Sequence, residues 1–218
     1  SKTSFGDVKE FLEEHKMLVK EYEDQPNIYL VVYTEDSDMS VDWIRECRGI
    51  IMEKETNRVV CHTFNKSLDY ELNADEYENE EAVTHFKEFV NENFEFPVQY
   101  QNSIDGTQIR VYNYEGTWYI ATTRTINAYY AYWQNAKSFG ELFDEVLNDE
   151  RDNLFAQLDE NNCYCFVLKH TDNRIVVHYD EGTMGLTHVL TRNVTSGEIV
   201  DQHFVDIPCI DYLETHEL

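Results

Sequence analysis

Two runs of alternating residues, Thr107–Tyr114 and Thr117–Thr123, flank the pair Glu115-Gly116. Successive side chains of a strand point to opposite faces, so this period-two pattern, interrupted by a Glu-Gly pair, predicts an antiparallel hairpin. The hairpin commits the middle of the chain to antiparallel sheet. The last third continues the theme. Cys163–Lys169, Arg174–Tyr179, Leu186–Asn193 and Glu198–Val205 read as strands, punctuated by turns at Asp172-Asn173, Glu181-Gly182 and Ser196-Gly197. Upstream, the apolar and β-branched run Ile28–Thr34 predicts a buried strand. Trp43–Glu53 and Arg58–Phe64 predict two more, joined by a hairpin over Lys54–Asn57.

Helical spacing governs three other stretches. Residues 5–23 carry Phe5, Val8, Phe11, Leu12, Val19 and Tyr22 close to one face, and Gln25-Pro26-Asn27 stops them. Asn73 is a candidate cap for a helix bearing Ala82, Val83, Phe86, Phe89 and Val90. Ser138 and Glu141 form a capping box ahead of Phe139, Leu142, Phe143, Val146 and Leu147. Pro97 argues against helix ahead of Asp105-Gly106. Helices outside an antiparallel β core give an α+β fold, expected here as a single domain over 1–218.

The net charge of −26 opposes polyanions unless it is locally overcome. Its distribution is uneven. Residues 69–95 carry ten acidic side chains against one Lys, and residues 141–160 carry eight against one Arg. Residues 41–66 hold five basic and four acidic, and 97–140 hold three and two. The acid therefore sits on expected helices, and the motif-bearing strands are near neutral. The bland reading is solvated faces; the sharper one is an acidic surface for a basic host protein. No apolar run approaches the roughly 20 residues of a membrane span and no basic-then-apolar leader opens the chain, so the expectation is a cytoplasmic protein with no membrane partner. Five scattered cysteines fit reduced thiols better than a disulfide framework. No metal site is expected: Cys163 with Cys165 and Cys61 with His62 lack zinc-ligand spacing, and His170, His178 and His188 read as satisfied or exposed.

Four segments carry the chemistry. Ser103-Ile-Asp-Gly-Thr-Gln-Ile-Arg-Val-Tyr112 opens the hairpin, and Trp118-Tyr-Ile-Ala-Thr-Thr-Arg124 closes it. Glu46-Cys-Arg-Gly-Ile-Ile-Met-Glu53 and Phe64-Asn-Lys-Ser-Leu-Asp69 precede it. Together with Cys163–Val177 and Leu190–Glu198, they make the chain resemble the phage tRNA-repair RNA ligases, within the covalent nucleotidyltransferase superfamily. The resemblance spans roughly residues 28–200. It implies an RNA-ligase-like adenylation domain, with Arg48, Lys66, Asp105, Gly106 and Arg124 as nucleotide- or phosphate-binding candidates.

The same resemblance exposes departures. The family's motif is Lys-x-Asp-Gly, whose lysine amine attacks the α-phosphate of ATP and must be deprotonated to do so. Ser103 stands in the lysine's place, so no catalytic residue is secure. The resemblance also puts Val167 where an acid is usual and Thr123 where a basic residue is usual. The family's later Glu-Gly and paired-Lys motifs do not appear by Leu218. One expectation follows: a catalytically degenerate, phage-encoded module in the host cell cytoplasm, binding a nucleotide, an RNA end or a protein without self-adenylylation. A second is the adenylation domain of an ATP-dependent RNA ligase, using ATP and Mg2+. A third is an acidic inhibitor of a host nucleic-acid-binding factor.

Overall fold

The computed structural model describes residues 3–67, 80–93, 99–133, 137–173 and 175–217. The chain forms two compact units, one of residues 1–66 with 104–212 and one of residues 67–103 with 213–218.

In the larger unit, α1 (Phe5–Glu14) is followed by β1 (Leu18–Glu21), β2 (Ile28–Val32), α2 (Asp42–Glu46), β3 (Arg48–Glu53) and β4 (Val59–Cys61). The four strands pair antiparallel in sequence order. After the smaller unit come β6 (Thr107–Tyr114) and β7 (Thr117–Ala121), then α4 (Phe139–Leu147), α5 (Arg151–Ala156), β8 (Asn162–Lys169), β9 (Gly185–Asn193), β10 (Ile199–Val200) and β11 (Ile210–Tyr212). They build a second sheet, ordered β10-β9-β8-β6-β7, with β11 added parallel to β9. In the smaller unit, α3 (Glu80–Asn93) precedes β5 (Gln99–Gln101), which pairs antiparallel with β12 (Thr215–Glu217).

Three apolar clusters bind the larger unit. On β2, Ile28, Leu30 and Val32 meet Tyr112, Tyr114 and Cys163 of the second sheet. The alternate residues Tyr29 and Val31 meet Leu12 and Met17 at α1 and Ile44 of α2. All five β2 residues are therefore buried, as its unbroken apolar run implied. On the far side, Ile109, Val111 and Phe166 pack against Leu142, Phe143 and Leu147 of α4. The unit is thus layered as helix, sheet, sheet, helix. The α+β expectation holds.

The β6–β7 hairpin turns through Glu115 and Gly116, both at positive φ (52° and 77°), the conformation its sequence invited. Ser138 and Glu141 cap α4 reciprocally. Four expectations change. The strand expected over Glu198–Val205 is reduced to Ile199–Val200, the two residues that pair with β9. The helix over 5–23 stops at Glu14, because Lys16 turns to φ 62° and Leu18–Glu21 pairs with β2. Trp43–Glu53 divides into α2 and β3, which sends Ile44 into the α1 cluster. The strand expected over 174–179 is absent from the described residues 175–179, whose backbone N–H groups at Val176 and Val177 go to the Asp105 carboxylate. Of the second expected helix, the cap at Asn73, the side chains of Ala82 and Val83, and Pro97 lie outside the described residues; Val90 is buried.

Candidate functional site

Gly49 sits opposite a slip in the β2–β3 register, between the pairs Val31↔Ile50 and Val32↔Arg48. Its φ is +82°, and a Cβ there would lie 2.5 Å from the Thr123 carbonyl oxygen. A glycine bulge thus lets β3 touch the segment that follows β7. Arg110, wholly buried on β6, fastens the same junction by donating to the carbonyls of Gly49 and Thr122. Its partners are carbonyls, and its Nε has no hydrogen-bond acceptor among the described residues.

This junction underlies a cavity of about 740 Å³ in the larger unit. Its walls come from β1 (Lys20), the start of β6 (Thr107, Gln108), the segment after β7 (Thr122 to Thr125), the aromatic run Tyr130–Trp133, and Ile175. Lys20 Nζ donates to the Arg124 carbonyl oxygen at 3.0 Å, and Arg124 N–H donates to Thr122 Oγ1 at 3.2 Å. Two cations, several hydroxyls and an amide converge on a space of ligand size. Among the described residues no carboxylate lines the walls, and this donor set does not fit a resident Mg2+, an ion that takes carboxylate and phosphate oxygens.

The sequence candidates occupy different places. Arg124 lines the cavity and is exposed. Asp105 and Gly106 lead directly into Thr107 and Gln108 on its wall. Asp105 Oδ2 accepts the N–H groups of Val176 and Val177 at 2.9 and 2.8 Å, and its carbonyl accepts the Tyr179 hydroxyl at 2.7 Å. Gly106 is held so tightly that a Cβ would lie 2.5 Å from the Leu168 carbonyl oxygen. Arg48 and Lys66 are not among the cavity walls. The Arg48 guanidinium lies 4.8 Å from the centroid of the Phe64 ring, and Lys66 N–H donates to the Arg45 carbonyl at 2.9 Å. Ser103 is exposed and belongs to the smaller unit. Val167, on β8, pairs with Gln108 and Thr187.

Behind the site lies a buried thiol group. Cys61, Cys163 and Cys165 are fully enclosed, and all five cysteines are free thiols. Cys163 Sγ donates to the His62 carbonyl at 2.7 Å, and Gln108 Nε2 donates to Cys165 Sγ at 3.3 Å. Burial pushes Cys165 up to about 12, which leaves it an inert thiol at neutral pH. His62 is pulled down to about 4 by burial and then by the charges of Arg192 and Arg110. His188 Nε2 is 2.9 Å from Thr191 Oγ1, and His170 Nδ1 accepts the Asp172 N–H at 3.0 Å, so both have partners. Among the described residues no group of three His, Cys, Asp or Glu could hold a metal ion, and no helix is long and apolar enough to cross a membrane.

Sequence reading missed Lys20, Arg110 and the aromatic wall. The run Tyr129-Tyr130-Ala131-Tyr132-Trp133 was the available signal for the last.

Comparison with known proteins bears on this geometry. No family model matches the sequence. A protein of Autographa californica nuclear polyhedrosis virus, described as a bifunctional polynucleotide kinase/RNA ligase, is 29% identical over 204 residues, covering 88% of this chain and 28% of that protein. An RNA ligase of Rhodothermus phage RM378 is 29% identical over 152 residues, covering 62% of this chain and 34% of its own length. This chain is RNA-ligase-like. An immediate-early protein ICP-46 homolog of Invertebrate iridescent virus 3 is also similar, 30% identical over 146 residues that cover 65% of this chain and 31% of that protein. The RNA-ligase-like chain spans about a third of the length of each of these relatives. Among solved structures, one described as an ATP-dependent DNA ligase from Aquifex aeolicus has a TM-score of 0.49 at 14% identity, covering 89% of this chain and 44% of that one. That likeness is too loose to carry the family.

Proposed function

We propose that this RNA-ligase-like domain binds a nucleotide or an RNA end without forming a covalent adenylate on itself. The observation that carries the reading is Ser103, which stands where the resemblance places the nucleophilic lysine. A serine hydroxyl ionises far above neutral pH and needs an adjacent base to attack. The following carboxylate, Asp105, supports the reading because it is engaged by two backbone N–H groups and works as a structural latch. The cavity supports the binding half: Arg124 suits bidentate contact to a phosphate, Lys20 adds a second positive charge, and the threonine hydroxyls can orient a ribose or phosphate.

Incubation with α-labelled ATP and magnesium, followed by denaturation, tests the reading. The expected result is reversible ATP binding by equilibrium dialysis with no label retained on the chain. Retained label overturns it in favour of a second reading, the adenylation domain of an ATP-dependent RNA ligase, which the descriptions of two of the relatives favour.

A further inference from the structure

Cys61 and Cys163 meet between the two sheets of the larger unit. Cys61 ends β4, Cys163 lies near the start of β8, and both belong to the apolar cluster that joins the sheets. Neither exposes any surface. Cys163 Sγ donates to the carbonyl of His62, the residue after Cys61, at 2.7 Å, and its side chain also hydrogen-bonds Cys61. Two acceptors share one S–H, so Cys163 keeps its proton and Cys61 is the member of the pair placed to ionise. Arg110 supplies the reason. Its guanidinium stays charged in proteins and is wholly buried in the same layer. Among the described residues it pairs with carbonyls and with no carboxylate, and its Nε has no acceptor. A buried charge without a counter-charge is costly. The acids near it are thiols and Tyr112, and burial pushes the Tyr112 hydroxyl up. Burial also raises Cys61, but the hydrogen bond from Cys163 and the charge of Arg110 outweigh it and draw Cys61 below the ordinary thiol value. Cys163 is pushed the other way, first by its bond to Cys61 and then by burial.

One sulfur that forms a thiolate beside one that stays a thiol is the arrangement of an attacking and a resolving cysteine. We infer that Cys61 and Cys163 form a peroxide-reactive dithiol that closes to a disulfide and bolts β4 to β8. The Cys61 thiolate attacks one oxygen of hydrogen peroxide. The O–O bond breaks, the other oxygen leaves as hydroxide and takes up a proton to become water, and Cys61 becomes a sulfenic acid. The Cys163 sulfur then attacks the Cys61 sulfur, and its proton leaves with the sulfenic hydroxyl as a second water. The sulfurs lose one electron each and the peroxide gains two. Burial sets the class of oxidant, because only a small neutral molecule can enter this layer. The cavity comes within one side chain of it: Gln108, on the cavity wall, donates to Cys165 at 3.3 Å. Cys165 is a bystander. It sits two residues from Cys163 on the same strand, roughly 6.7 Å away between Cα atoms with a parallel side chain, at the upper limit for a bridge. The dithiol is independent of what the cavity binds and requires neither ATP nor RNA.

The test treats the reduced full chain with hydrogen peroxide at neutral pH, alkylates the remaining thiols in denaturant, digests without reductant and reads the peptides by mass spectrometry. Expected results are a linked peptide pair joining Cys61 to Cys163, a loss of two hydrogens from the intact mass, and full reversal by dithiothreitol. The melting temperature should rise, because the bridge closes a long loop of the unfolded chain. Oxidised glutathione, a bulky charged disulfide, should leave the pair reduced over the same time. Cys163→Ser removes the resolving sulfur and should stop the reaction at a sulfenic acid on Cys61, trapped by dimedone on unfolding. Cys165→Ser should form the bridge as the parent does. Arg110→Met should slow oxidation at least about threefold, an about tenfold smaller thiolate fraction being partly offset by a more nucleophilic sulfur. A melting temperature above that of the assay verifies the fold of each variant. Five intact thiols after peroxide, oxidation confined to the less buried Cys209, a linkage other than Cys61 to Cys163, or a bridge that forms only in urea overturns the inference. ATP binding measured on the reduced chain bears on the nucleotide reading alone, so the two fail separately.

Discussion

The Asp105 carboxylate accepts the backbone N–H of Val177 at 2.8 Å, and that of Val176 at 2.9 Å through the same oxygen. A motif position expected to face a nucleotide thus holds a neighbouring loop. Ile175, one residue before the latch, lines the cavity. Asp105→Asn leaves a weaker acceptor and is expected to cost about 1.5 kcal/mol, the low end for a charged acceptor because the bonds are solvent-accessible. Hydrogen exchange checks it: the amides of Val176 and Val177 should exchange faster in the variant, while those of β8 stay protected. Unchanged protection at 176 and 177 would mean the carboxylate is dispensable to the loop.

Arg110 is buried between the two sheets and its guanidinium contacts the carbonyls of Gly49 and Thr122. Arg110→Met keeps much of the volume and removes the donors. Each orphaned carbonyl costs about 1–3 kcal/mol, and relief of a desolvated charge offsets part of that. The expected net loss is about 2 kcal/mol in urea unfolding with an unchanged m-value. A variant as stable as the parent would show that the bridge between the sheets is not held by this side chain.

Gly49 tolerates no side chain by two independent criteria, its positive φ and the 2.5 Å approach to the Thr123 carbonyl. Gly49→Ala should destabilise by more than the roughly 1 kcal/mol of the backbone conformation alone, because the opposing atom is backbone and cannot swing aside. Gly116→Ala is the control. It has similar φ, at 77°, but nothing within 4 Å of the added carbon. Equal losses in the two variants would assign the whole effect to φ and remove the close approach from the account.

How much of this was legible depends on where the partner lay. β6, β7, β8 and β9 could be read because alternation and glycine turns act locally. The helix expected over 5–23 failed at Lys16, since Val19 fits either a helix face or a strand and only pairing with Val31 decides. Trp43 and Ile44 failed for a related reason: a short apolar run cannot be told as strand or helix from periodicity. The residues 175–179 have strand composition, but their N–H groups met a carboxylate from residue 105, which no local pattern encodes. Arg124 was visible from its motif. Lys20 was not, because its contact with Arg124 joins positions 104 apart in sequence.

His188 is buried against Phe166, Phe204 and Tyr212 and is held down to about 4, chiefly by burial. The folded state therefore binds its proton less readily than the unfolded chain does. Between the unfolded value near 6.5 and the folded value near 4, the unfolded state carries more protons, so stability present above about pH 6.5 is lost as the pH falls toward 4. The magnitude is on the order of 3 kcal/mol for a displacement of this size. His188→Gln keeps a hydrogen-bonding group near Thr191 and removes the titration. Its unfolding free energy should fall less steeply than the parent's between pH 6.5 and 4; identical slopes would show that folding does not lower the proton affinity of this imidazole.

Ser103→Lys restores the lysine whose absence from the Lys-x-Asp-Gly motif marks this chain as degenerate. Ser103 is exposed, so the new lysine would stay in water with an amine pKa near its ordinary value of about 10.4, leaving roughly 0.04% of it deprotonated at pH 7. A nucleophilic lysine needs desolvation or a cationic neighbour to escape that limit. The variant is therefore expected to retain no label from α-labelled ATP at pH 7, even though the following Asp105 and Gly106 are present. Labelling at pH 7 comparable to a working ligase would mean that one side chain alone separates this chain from catalysis, and that the remaining site is already arranged for transfer.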